Sequence, residues 1–173
     1  MMRKNLFLIL GTLLIASCDK NLPSGFWKEY RSELIEERDS HQRPYGGSLT
    51  IFWSSSENDA FSEIDVLEFA IANEWEPVDS ITFTHQDMQN WSHHDSTPVF
   101  PVYFNGTHKM YSENDLSGYT AFDRWIESDL TVYRCRTKGH LRYPGTDEST
   151  RENGYILISK DGKQMTVYNI WGE

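Results

Sequence analysis

The feature that most constrains the fold of this 173-residue chain is a turn near its C-terminus. Asp161 and Gly162 lie there between two hydrophobic runs, at residues 155–159 and 164–171. Asp-Gly favours the tight turns that join antiparallel strands, because both residues tolerate a positive φ. The sequence therefore predicts a C-terminal β-hairpin.

Six segments upstream of this hairpin alternate between strand and helix patterns. Runs rich in β-branched and aromatic residues predict strands at 48–54, 78–84, 98–105 and 130–137. Helical spacing of apolar residues predicts helices at 59–73 and 117–127. The buried face of the first helix is predicted to hold Phe61, Ile64, Leu67, Phe69, Ala70 and Ile71.

The order of these six elements, β-α-β-β-α-β, is that of ferredoxin-like folds. Such folds place two helices on one face of an antiparallel sheet. We therefore predict a single α+β domain over residues 47–173, completed by the C-terminal hairpin.

The residues before this domain predict an amphipathic helix. Over 23–38, Ser24 is a suitable N-cap, and one side of the helix is apolar. That side holds Phe26, Trp27, Tyr30, Leu34 and Ile35. The helix either packs on the domain or belongs to a stalk with a hinge at 43–47. We assign residues 18–46 to a tether that carries it.

The N-terminus has the pattern of an export signal. Arg3 and Lys4 precede an apolar run at 6–16, which only Gly11 and Thr12 interrupt. A helix that spans a bilayer needs about 20 apolar residues, so this run is too short to remain as a span. Residues 1–17 are therefore predicted to be a signal peptide.

The segment Ile15-Ala16-Ser17-Cys18 resembles the lipobox of bacterial lipoprotein precursors. The resemblance implies cleavage before Cys18 and attachment of lipid, with acyl chains such as palmitate, to that cysteine. Two buried chains anchor a protein stably, whereas one holds only marginally. The domain would then face the periplasm, or the outside in a single-membrane organism, and Asp19 favours the inner membrane. An ordinary cleaved signal peptide with a released product is the alternative.

The charge of the chain narrows the class of partner. Removing residues 1–17 leaves 14 Lys and Arg against 26 Asp and Glu, a net charge of −12. Nucleic acids bind through Lys and Arg, so we predict no nucleic-acid partner. The negative charge favours a basic protein as the partner. The alternative is that the acidic residues only keep the domain soluble.

Cys135 has no disulfide partner if Cys18 carries lipid, since the chain has 2 cysteines. A lone cysteine is either a reactive thiol or a small buried hydrophobe. We predict that Cys135 is buried within the strand at 130–137.

Two long polar loops are the candidate binding regions, because long ordered loops often carry function. The loop at 85–97 holds Trp91, His93, His94 and Asp95. Adjacent histidines in an extended chain point to opposite sides, which argues against a shared metal ion. We predict no metal and no other cofactor. Trp91 either contacts a ligand or folds back over the sheet.

The loop at 138–153 offers Arg142 and Tyr143, which are residue types common at protein interfaces. The sequence contains no Gly-x-Ser-x-Gly, His-Glu-x-x-His or Cys-x-x-Cys motif. The leading hypothesis is a non-catalytic protein-binding module of the envelope, in the format of inhibitors and immunity proteins. The alternatives are an envelope hydrolase that uses residues 85–95, and a structural lipoprotein of envelope assembly.

Overall fold

The computed structural model describes residues 23–56, 59–89, 91, 97–101, 121–142 and 147–172. Six strands form its main sheet: β1 Ile35–Arg43, β2 Gly46–Ser54, β3 Glu76–Phe83, β6 Leu130–Arg136, β9 Gly154–Ser159 and β10 Gln164–Gly172. They are antiparallel neighbours in the order β1-β2-β10-β9-β6-β3. Two short strands, β7 Leu141–Arg142 and β8 Ser149–Thr150, extend this sheet beside β10. A separate pair consists of β4 Val99–Pro101 and β5 Ala121–Asp123.

The predicted C-terminal hairpin is confirmed. Met165 pairs with Ile158 and Val167 pairs with Ile156 across β9 and β10. Gly162 takes a φ of 70° in the turn, and the carboxylate of Asp161 accepts from the Lys163 N–H at 3.0 Å. Gly162 thus supplies the positive φ of the turn, whereas Asp161 has no positive φ and contributes a side-chain hydrogen bond to the backbone instead.

The predicted ferredoxin-like α+β fold is wrong. The structure is mostly antiparallel β-sheet, and its described part has two short α-helices, α1 Glu63–Ala72 and α2 His85–Met88. α1 corresponds to the helix predicted at 59–73. The helix predicted at 117–127 is contradicted from residue 121 onward, because 121–123 pair with β4 and 124–127 are irregular. Residues 117–120 lie outside the described residues.

The predicted N-terminal helix is also wrong. Gly25–Glu29 and Ser32–Leu34 form 3₁₀ turns, and the chain then extends as β1. Arg31, between the two turns, has a left-handed backbone with φ 40° and ψ 51°, which no continuous α-helix allows. The Trp27 side chain is fully buried. Residues 25–43, which fall in the segment assigned to the tether, thus contribute to the core and to one sheet edge.

The sheet buries apolar side chains on both faces, because successive residues of a strand point to opposite sides. The first face, which includes Ile51, Ile156 and Val167, packs against α1 and the 3₁₀ turns. The second face includes Leu157 and Tyr168. The second face is covered by α2, by the β4–β5 pair and by the residues next to them. The buried side chains of this cover are Met88, Trp91, Phe100 and Ile126.

Candidate binding surface

Trp91 of the first candidate loop is buried, with 2% of its surface exposed. Its ring lies 4.7 Å from the ring of Phe83 and 6.0 Å from that of Phe100, centroid to centroid. Trp91 therefore folds back over the sheet, which is the second of the two arrangements considered for it. His93, His94 and Asp95 lie outside the described residues, and their roles stay predictions.

The described ends of this loop are held by structural contacts. The guanidinium of Arg124 is buried and donates to the Met88 carbonyl at 2.8 Å, above the Trp91 ring. Burial lowers the pKa of Arg124. The His85 N–H donates to Asp129 Oδ1 at 3.0 Å. Nothing in the sequence pattern around Arg124 indicates this role, since it depends on a neighbour 36 positions away.

The second candidate loop presents Arg142 on the surface. Arg142 donates to Asp147 at 2.6 Å, and the Asp147 side chain is 100% exposed. An ion pair in this setting contributes at most about 1 kcal/mol, so its partners can exchange for others. Tyr143 lies outside the described residues.

A buried polar network holds the base of the second loop. Asn153 donates to the carbonyls of Ile170 at 2.6 Å and Gly139 at 3.1 Å, and it accepts from Thr137 at 2.7 Å. Asn169 donates to the Asn153 carbonyl at 2.9 Å and accepts from Ser24 at 2.6 Å. The network thus connects the N-terminal segment to β10 and to the loop. Its buried members are satisfied by each other, as a stable interior requires.

Cys135 is fully buried in β6, as predicted. Burial, with a smaller effect of Asp79, raises the pKa of its thiol from 9.0 to about 12. The folded state therefore keeps this thiol protonated to a higher pH than the unfolded state does. The contribution of the thiol to the free energy of unfolding is fully present below pH 9.0 and is lost as the pH rises toward about 12.

We expect the free energy of unfolding to fall by about 1 kcal/mol per pH unit in that window. Urea titrations at several pH values measure this decline, and Cys135→Ala should remove the part due to the thiol. At pH 8 the folded protein should also resist iodoacetamide, by mass spectrometry. Rapid modification without unfolding would contradict the burial.

The outer side of α1 is a surface that the sequence pattern does not indicate. Ile64 and Ile71 were predicted to be buried, but they are 69% and 57% exposed. An α-helix turns by about 100° per residue, so these two lie nearly opposite Val66, which faces the sheet. Their spacing of seven residues places them on one side of the helix, together with Glu68.

Acidic side chains surround the two isoleucines. The segment 59–75 has five Asp and Glu and no Lys, Arg or His. Asp59 and Glu74 form ion pairs with Arg31 and Lys138. Within the described part of the chain, the exposed carboxylates of Glu63, Asp65 and Glu68 have no such partner. We call Ile64, Ile71 and these three carboxylates the α1 face.

No group of three or more His, Cys, Asp and Glu placed to hold a metal ion occurs among the described residues. None of the helices in those ranges is long and apolar enough to cross a bilayer. Comparison with protein-family models finds no match, and comparison with curated proteins and with solved structures finds no chain of significant similarity.

Proposed function

We propose that this protein is a bacterial envelope lipoprotein, anchored through lipid on Cys18, whose acidic domain binds a basic protein without catalysing a reaction. The α1 face carries the binding part of this proposal. The Ile15-Ala16-Ser17-Cys18 segment supports the anchor. A small acidic binding domain on a lipid anchor is the arrangement expected of an inhibitor or immunity-type protein of the envelope.

The α1 face has the composition of a small protein-binding surface. Protein interfaces combine an apolar centre with a polar, charged rim. Ile64 and Ile71 are 69% and 57% exposed, so each can contribute about 1 to 2 kcal/mol when a partner covers the exposed part. Glu63, Asp65 and Glu68 supply negative charge beside them that no Lys or Arg of the described residues neutralises, and Glu63 also accepts a hydrogen bond from Tyr133. The matching surface is an apolar side chain flanked by Lys or Arg.

Electrostatics adds a second reason for a basic partner. The described residues carry 12 Lys and Arg against 20 Asp and Glu, so the domain repels acidic proteins at long range. Opposite charge on a partner raises the rate of association, and salt screens this effect. Binding should therefore weaken as the salt concentration rises.

The experiment places a photoreactive benzoylphenylalanine at Glu68 in the full-length protein, expressed in its native host. We expect a crosslink to a protein of basic pI, and a yield at least tenfold lower in the double variant Ile64→Glu, Ile71→Glu. Val78→Glu is the matched control, because Val78 is an exposed apolar residue, at 40%, on β3. An acidic neighbour, or equal yields in the double variant and the control, would overturn the α1 face as the binding surface.

The anchor is tested separately by intact mass of the same membrane preparation. An N-terminus at Cys18 that carries acyl mass is the expected result. A soluble product with an unmodified Cys18 would overturn the anchor and leave the binding proposal standing.

A further inference from the structure

The chain enters the fold close to its proposed lipid. Pro23, the first described residue, follows Cys18 by five positions. Ser24 is buried and bonded to Asn169 at 2.6 Å, so the fold is fixed from this point onward. Five residues span at most about 18 Å. A lipid on Cys18 would therefore keep the entry point within that distance of the bilayer surface.

One end of the sheet surrounds this entry point. A Cβ atom on Gly139 would lie 3.7 Å from the Pro23 ring, which places the start of the second loop beside Pro23. Gly172 of β10 pairs with Gly46 and with Leu141, and its N–H donates to the His140 carbonyl at 2.6 Å. The turn between β1 and β2 and the loop after β6 thus meet at the same end.

This end presents an aromatic residue and several basic ones. Tyr45, in the turn between β1 and β2, is 79% exposed, the highest value for a large hydrophobic side chain in the described ranges. Arg43, Lys138, His140 and Arg142 are also exposed. We call these five residues the anchor end.

The two stretches of sequence that form the anchor end, 40–56 and 130–146, contain no Asp or Glu, although the chain as a whole is strongly acidic. From 130 to 146 the sequence has four Lys and Arg and no Asp or Glu. Lys138 pairs with Glu74 and Arg142 pairs with Asp147, and the exposed fraction of the four side chains runs from 44% for Arg142 to 100% for Asp147. Exposed pairs of this kind are weak, so lipid phosphates can compete for the two cations.

We infer that the anchor end lies against the headgroups of the bilayer, with the Tyr45 ring at the interface and Arg43, Lys138 and Arg142 near lipid phosphates. This inference rests on the proposed lipid anchor and adds the orientation of the domain. Tyrosine is enriched at membrane interfaces, because its ring is apolar and its hydroxyl is polar. Basic side chains are attracted to anionic lipids. The turn between β9 and β10, at the opposite end of the sheet, then points away from the membrane.

The test uses the full-length lipoprotein, purified with its lipid and reconstituted in vesicles of phosphatidylethanolamine and phosphatidylglycerol. Tyr45→Cys and Lys160→Cys are each labelled with a nitrobenzoxadiazole fluorophore, and headgroup spin-labelled lipids quench the fluorescence. Lys160 is a matched position at the far turn, since its side chain is 78% exposed. We expect at least twofold stronger quenching at position 45. In Tyr45→Cys, adding Arg43→Glu and Arg142→Glu should reduce that difference, whereas adding Lys163→Glu should not.

Two failures have different meanings. Protein that carries an unmodified Cys18 and does not float with the vesicles would overturn the anchor, and this inference with it. Protein that floats but is quenched equally at both positions, or more at position 160, would leave the anchor standing and overturn the orientation.

Discussion

Trp27→Ala should lower the free energy of unfolding by about 4 kcal/mol, measured by urea titration with circular dichroism. The Trp27 side chain is fully buried. Its ring contacts five others at centroid distances between 5.2 and 6.2 Å: those of Phe26, Tyr30, Trp53, Phe69 and Trp75. Phe26 and Tyr30 belong to the same turn as Trp27. Trp53 is on β2 and Phe69 is on α1, however, so the backbone of the sheet and the helix limits how far these rings can move into the cavity that alanine leaves.

The matched variant is Trp27→Phe, which should cost about 1.5 kcal/mol. The Trp27 Nε1 has no hydrogen-bond partner in the described part of the chain, so phenylalanine loses volume but no hydrogen bond. If alanine proved as mild as phenylalanine, the 3₁₀ turns would not belong to the cooperative core. The position of residues 23–34 in the fold would then be contradicted.

Asn153→Ala should lower the free energy of unfolding by about 3 kcal/mol in the same titration. The buried side-chain amide of Asn153 makes hydrogen bonds to Thr137, Gly139 and Ile170. In the alanine variant each of these three groups loses its hydrogen bond to residue 153. A buried polar group that loses its partner costs about 1 to 3 kcal/mol.

The control for Asn153 is Gln42→Ala, because Gln42 is exposed on β1 and its removal should change stability by less than about 0.5 kcal/mol. Equal effects of the two variants would show that the network does not hold the base of the second loop. The N–H of Gly139 should also exchange faster in Asn153→Ala, since the network fixes that segment.

The sequence predicts the parts of this fold that depend on local chemistry. The C-terminal hairpin follows from Asp161-Gly162, and the burial of Cys135 follows from its hydrophobic strand. β1 could not be predicted in this way, because the segment IEERDSHQR has one apolar residue and fits no strand pattern. It is a strand because it pairs with the edge of β2. Tertiary pairing thus decides its conformation.

The candidate site was predicted less well, and the reason is geometric. The sequence identifies α1 as a helix, but it has apolar residues on most sides, so the pattern does not say which side faces the sheet. Val66 and Ala70 take the buried positions, and Ile64 and Ile71 remain outside. The burial of Trp91 could not be predicted either, because Trp91 lies in a loop, where no periodicity indicates the direction of a side chain.

The order of strands in the main sheet has a consequence for how the chain folds during synthesis. β9 and β10 occupy the middle of the sheet although they are the last of its strands to be made. Until residue 172 emerges from the ribosome, β2 and β6 have no neighbour that joins them. The sheet therefore cannot assemble until β10 has been made, and sheets built from such distant contacts form slowly, in milliseconds to seconds. Under the proposed export as a lipoprotein precursor, this delay would leave time for translocation before the sheet forms.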